Sequence, residues 1–134
     1  MYLKKPVYGQ LDAPRRWYLE ALRRLEGLGW KRHQLDPCLF MLFDDSNITD
    51  GDMPKLVGLL IIHVDDILAA GDESSAVYAD VEKRLKEVFN FRTWEADTQT
   101  LEYCGVKLER QNYAWSVHQE DYWKKVKPIT IHKG

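Results

Sequence analysis

The chain has 134 residues, 45% hydrophobic and 30% charged, which is enough apolar material for a modest core in one domain. Its formal net charge of −2 argues against a free-standing nucleic-acid binder, which is ordinarily basic, and no stretch is apolar over enough residues to span a bilayer. Residues 1–6 lack the apolar core of a signal peptide, and Cys38 and Cys104 lie far apart, in apolar contexts and without metal-ligand spacing, so two buried reduced thiols and an intracellular location, cytoplasmic or nuclear, are expected.

The first 34 residues hold eight cations, Lys4, Lys5, Arg15, Arg16, Arg23, Arg24, Lys31 and Arg32, against Asp12, Glu20 and Glu26. Such a segment reads as a phosphate-facing surface or as the solvated exterior of a helix. A helix is expected there: Asp12 is a good N-cap, Pro14 falls in the first turn, and Tyr18, Leu22, Leu25 and Leu28 recur at helical spacing until Gly27-Leu28-Gly29 ends the run. Residues 38–43 form a short apolar strand, 44–54 a polar insertion, and 56–64 and 67–70 two further strands. Ser74 or Ser75 then caps a second helix with the stripe Val77, Val81, Leu85 and Val88, closed by Phe89. Strands are expected again over 91–94, 101–108 and 113–117, the last two joined through Gln111-Asn112. A short helix over 119–126 is stopped by Pro128. This order predicts an α+β layer, with helices on one face of a mainly antiparallel sheet.

Between the two central strands lies His63-Val64-Asp65-Asp66, preceded by Leu59-Leu60-Ile61-Ile62 and followed by Ile67-Leu68-Ala69-Ala70. Two carboxylates between buried strands cost desolvation energy unless a cation neutralises them, and a divalent metal is the commonest partner. The other reading is a solvated hairpin tip, since Asp is a favoured turn residue. Asp44-Asp45 opens the polar insertion and is expected to be a wet loop. A lone His in an apolar strand, such as His63, is more often a hydrogen-bonded rim residue than a ligand.

A second set of residues bears on that choice. Upstream stand Tyr8-Gly9-Gln10-Leu11-Asp12-Ala13-Pro14-Arg15-Arg16-Trp17-Tyr18, then Gly29-Trp30, then Asp36-Pro37-Cys38-Leu39-Phe40. Downstream come Leu101-Glu102-Tyr103-Cys104-Gly105-Val106-Lys107-Leu108-Glu109-Arg110 and a hairpin at 113–117. In this order and at this spacing from the Asp pair, the set resembles the reverse transcriptase of copia-type retrotransposons, an RNA-directed DNA polymerase, over nearly the whole chain.

The resemblance implies a ferredoxin-like polymerase palm, truncated at its N-terminus, with 1–134 as one partial palm domain. It implies magnesium or manganese as cofactor, and as partners an RNA or DNA template-primer, deoxynucleotides and the rest of a transposon polyprotein, with no membrane. By the same resemblance Asp65 is the main catalytic metal ligand and Asp66 the more peripheral one. Tyr8 and Gly9 lie beside nucleotide and template, His63, Tyr103 and Gly105 face the primer, and Arg15 and Arg16 are candidates for phosphate contact.

The sequence departs from the family where Gly9-Gln10-Leu11-Asp12 replaces the usual Gly-Leu-Lys-Gln, and where His63 replaces Tyr. A bridging Asp comes in the family from a strand ahead of the first helix, which this chain starts too late to include. Asp36 and Asp12 are better explained as a turn residue and a helix cap. The isolated chain is therefore expected to be inactive, and a non-catalytic nucleic-acid-binding or interaction remnant of a polyprotein is the alternative. Trp94, Tyr113 and Trp115 read as base-stacking residues or, more commonly at strand spacing, as sheet surface.

Overall fold

The computed structural model describes residues 13–46, 48–96, 98–112 and 114–127. Tyr8, Gly9, Asp12, Tyr113 and Pro128 lie outside the described residues. The chain forms two compact units, one running to Arg92 and the other starting at Thr93. Each has its own antiparallel sheet, so the α+β class holds while the single sheet expected is two small ones. No helix among the described residues is long and apolar enough to cross a membrane.

The first helix, α1 (Ala13–Gly27), buries Ala21 and Leu25. It ends as its composition dictates: Gly29 takes φ +99°, a conformation that suits glycine, and the amide of Trp30 donates to the Leu25 carbonyl at 3.1 Å. That turn delivers Leu28 and Trp30 into the core. Four strands follow, β1 (Lys31–Arg32), β2 (Leu39–Asp44), β3 (Lys55–His63) and β4 (Asp66–Gly71), paired in that order. The two-residue β1 was not expected from periodicity; its charged pair is too short to show any, and it suits a sheet edge. A bulge between Leu42 and Phe43 shifts the register, pairing Leu42 with Gly58 and Phe43 with Leu56.

The second helix, α2 (Ala76–Phe89), is capped by Ser75, whose hydroxyl accepts from the Tyr78 amide at 3.3 Å. Its buried stripe is Tyr78, Val81 and Leu85, while Val77 and Val88 are half-buried. Together with Leu25, Leu28 and Trp30 these side chains form the core on Phe40, Leu42, Leu60 and Ile62. Residues 91–94 are irregular rather than the strand expected. Asn90 ends α2 in the left-handed region, and Phe91 turns back to stack on Phe89 at 5.6 Å, which commits this segment to closing the helix.

The second unit holds β5 (Thr100–Tyr103), β6 (Val106–Gln111), β7 (Ala114–His118) and the short α3 (Glu120–Lys125). The strand expected over 101–108 is broken in two. Cys104 and Gly105 both take positive φ, 53° and 72°, and two such residues in succession make a hairpin turn matched to the twist of its strands. That turn leaves the Cys104 thiol exposed, and Cys38 is half-buried, so the two buried thiols expected are not found. The register places Leu101, Leu108 and Val117 on one face and Glu102, Lys107 and His118 on the other.

In the first unit Lys55 pairs with Asp72 at 2.8 Å, and Ser74 donates its amide to the same carboxylate at 3.0 Å. The Lys55 ammonium and then the Ser74 hydroxyl and amide hold the Asp72 carboxyl down to about 2. A carboxyl lowered on folding contributes stability above its unfolded value, about 4, and that contribution is lost as pH falls toward its folded value. Asp72→Asn is therefore expected to flatten the loss of stability between about pH 4 and pH 2, followed by circular dichroism. Some slope remains from Glu20, which Arg23 and then Arg24 also hold at about 2.

Candidate functional site

The hairpin between β3 and β4 is as tight as the sequence suggests: His63 pairs with Asp66, leaving Val64 and Asp65 as the turn. The apolar flanks are not buried throughout. Strand β3 alternates, with Leu60 and Ile62 facing the helices while Leu59 and Ile61 stay 42% and 40% exposed on the open face. His63 and Asp66 belong by register to that open face.

His63, Val64, Asp65 and Asp66 are all exposed. None of His63, Asp65 and Asp66 engages another described side chain by hydrogen bond or ion pair. Among the described residues the carboxylates thus stand without a pairing cation, in contrast to Asp72 with Lys55 or Glu20 with Arg23 and Arg24. Two hard oxygen donors on adjacent residues fit a small divalent cation that keeps water and phosphate in its remaining positions. Among the described residues no third His, Cys, Asp or Glu joins them to complete a three-donor group.

One feature of the tip was not legible in the sequence. Val64 holds φ 54°, and for a β-branched residue that conformation is a true outlier, costing about 1–2 kcal/mol. Glycine or asparagine would be the ordinary choice at this turn position. Val64→Gly is expected to raise the stability of the first unit by about 1 kcal/mol, read as a higher denaturant midpoint at unchanged slope. Backbone strain of this kind gathers at functional sites, where surrounding structure enforces it.

The other candidates are distributed. Arg15 and Arg16 are exposed in the first turn of α1. Arg24 is structural: it binds Glu20 at 2.7 Å, donates to the Val88 carbonyl at 2.7 Å and lies over the Phe89 ring, tying α1 to the end of α2. Nothing in the local sequence marks it apart from Arg23. Asp36 is a turn residue, as expected, accepting from the Cys38 amide at 2.9 Å. In the second unit Tyr103 is half-buried at the β5–β6 hairpin, and Gly105 is required there by its positive φ, since a Cβ would meet nothing within 4 Å. Trp94 is half-buried and Trp115 is 47% exposed.

No protein-family model matches the chain, and no solved structure matches it. Two curated proteins do. Over 121 residues it is 26% identical to the retrovirus-related Pol polyprotein from transposon RE1 of Arabidopsis thaliana, covering 90% of this chain. Over 128 residues it is 27% identical to the retrovirus-related Pol polyprotein from transposon TNT 1-94 of Nicotiana tabacum, covering 92%. The chain is similar to a segment of transposon Pol polyproteins. That segment is small: the chain spans 7% and 9% of the length of these two relatives. The similarity runs through both units, so the Asp65-Asp66 hairpin and the Cys104-Gly105 hairpin share one polyprotein-like context.

Proposed function

We propose that the chain is part of the palm of a copia-type reverse transcriptase, in which Asp65 and Asp66 serve template-directed addition of deoxynucleotides. The observation that carries this reading is the hairpin tip: adjacent carboxylates without a side-chain partner among the described residues, on a turn held in a strained backbone conformation. The similarity to transposon Pol polyproteins supports it, as does the order of motifs from Tyr8 to Arg110.

Magnesium or manganese, when bound, supplies neutralisation of the triphosphate and activation of the primer hydroxyl. The chain's own residues act around that. Asp65, at the turn, is the inner anchor, and Asp66, opening β4, is the peripheral one. His63 lines the open face on the primer side, with Tyr103 and Gly105 as further primer contacts. Tyr8 and Gly9 border nucleotide and template, and Arg15 and Arg16 neutralise backbone phosphates.

The test is a manganese titration of the full chain. Asp65→Asn is expected to weaken binding by about tenfold or more, and Asp66→Asn by less. Equal, negligible effects would return the tip to a solvated turn. Exposed Arg15 and Arg16 favour a second reading, a nucleic-acid-binding remnant without catalysis. That reading requires salt-dependent RNA binding that survives both substitutions.

A further inference from the structure

The register of the β3–β4 hairpin sets His63 directly opposite Asp66 at its last rung. Directly opposed residues of an antiparallel pair project to one face, with Cβ atoms about 4.5–5.5 Å apart. Both are exposed, on the open face of the sheet. An imidazole nitrogen and a carboxylate oxygen so placed can close on one ion, with water filling its other positions. The donor set then decides which ion. Magnesium demands oxygen ligands and dehydrates reluctantly, whereas imidazole suits nickel, copper and zinc.

The other histidines of the described residues are committed elsewhere. The His33 Nδ1 accepts from the Leu35 and Asp36 amides at 3.2 and 3.3 Å. His118 faces Glu109 at 3.4 Å, but that carboxylate is already held by Lys107 at 2.7 Å. Only at the β3–β4 tip does a histidine stand across from a carboxylate with no competing cation among the described residues.

We infer that His63 and Asp66 form a two-donor site for a transition-metal ion of the nickel or zinc class, so that the tip takes such ions in preference to magnesium. The inference shares Asp66 with the proposed polymerase site but rests on strand register and donor chemistry, and it holds whether or not the chain ever served a polymerase.

The experiment is a nickel(II) titration of the full chain, with affinity from calorimetry and location from paramagnetic broadening of amide resonances. Broadening is expected to centre on residues 63 and 66. His63→Tyr, His63→Gln and Asp66→Asn should each weaken nickel binding by more than about tenfold, the lower bound for losing even an outer-shell partner of a metal. The two His63 variants should weaken nickel binding far more than magnesium binding, and Asp65→Asn should weaken nickel binding less than Asp66→Asn does. Unchanged nickel affinity in both His63 variants overturns the inference, as does broadening centred on His33, His118 or His132. A negative manganese result with Asp65→Asn would count against the polymerase reading while leaving the nickel result standing, so the two failures are distinguishable.

Discussion

Given an RNA template, an annealed DNA primer, magnesium or manganese and all four deoxynucleotides, this chain by itself is expected to leave the primer at its starting length. In-line nucleotidyl transfer needs two ions held about 3.5–4 Å apart, one at the attacking and one at the leaving oxygen. Asp65 and Asp66 are the carboxylates available at the hairpin, and no three-donor group forms among the described residues. Binding elsewhere on the chain cannot replace that geometry, because misplacing the reacting atoms by about 1 Å already costs on the order of a hundredfold in rate. Gel-resolved primer extension checks the expectation. Extension by this chain that vanishes in Asp65→Asn would overturn it and require a surrogate ligand, with Asp36 the first to replace, although its carboxylate is already engaged by the Cys38 amide.

The second large effect concerns the support beneath the hairpin. Gly71 closes β4 against the ring of Tyr78, and a Cβ built there would fall 2.2 Å from its Cε2, 2.3 Å from its Cδ2 and 2.5 Å from its Cζ. The ring has little room to yield, because Tyr78 is only 6% exposed and its other neighbours are close: a Cβ at Gly58 would meet the same ring at 2.9 Å and Trp30 at 3.1 Å. Gly71→Ala is therefore expected to cost the first unit about 3 kcal/mol, the upper range for overpacking a filled core. That is a large share of the total for a small unit. Denaturant unfolding followed by tryptophan fluorescence measures it. In a Tyr78→Ala background the same substitution should cost almost nothing, because the clash is then gone. A Gly71→Ala cost that persists in that background would show that the glycine is needed for backbone reasons instead.

These two expectations connect. The strained turn at Val64 persists because strands β3 and β4 are held by the packing behind them. Loosening Gly71 and Tyr78 should relax the tip and blunt the difference between Asp65 and Asp66.

The sequence by itself determined what local chemistry controls. Helical spacing placed α1 and α2, the cap of α2 was legible as Ser74 or Ser75, and the apolar runs on either side of Asp65-Asp66 marked a hairpin, because propensity, capping and periodicity act within a few residues. Asp36 was legible as a turn residue through the resemblance of its Asp-Pro-Cys-Leu-Phe segment to the family's turn. Tertiary structure decided the rest. The left-handed conformation of Val64 follows from a register imposed by the whole β3–β4 ladder, against the preference of a β-branched residue. The split of 101–108 at Cys104-Gly105 depends on which strands pair, and the irregular path of 91–94 depends on Phe91 finding Phe89. Arg24, a helix-surface cation by sequence, becomes a tie to α2 only once that helix end lies within reach. Val77 and Tyr78 both fit the helical period; the space left by Gly58 and Gly71, distant in sequence, selects the larger ring for burial. Contacts between residues far apart in the chain carry no local signature, and at the hairpin tip those contacts set His63 across from Asp66.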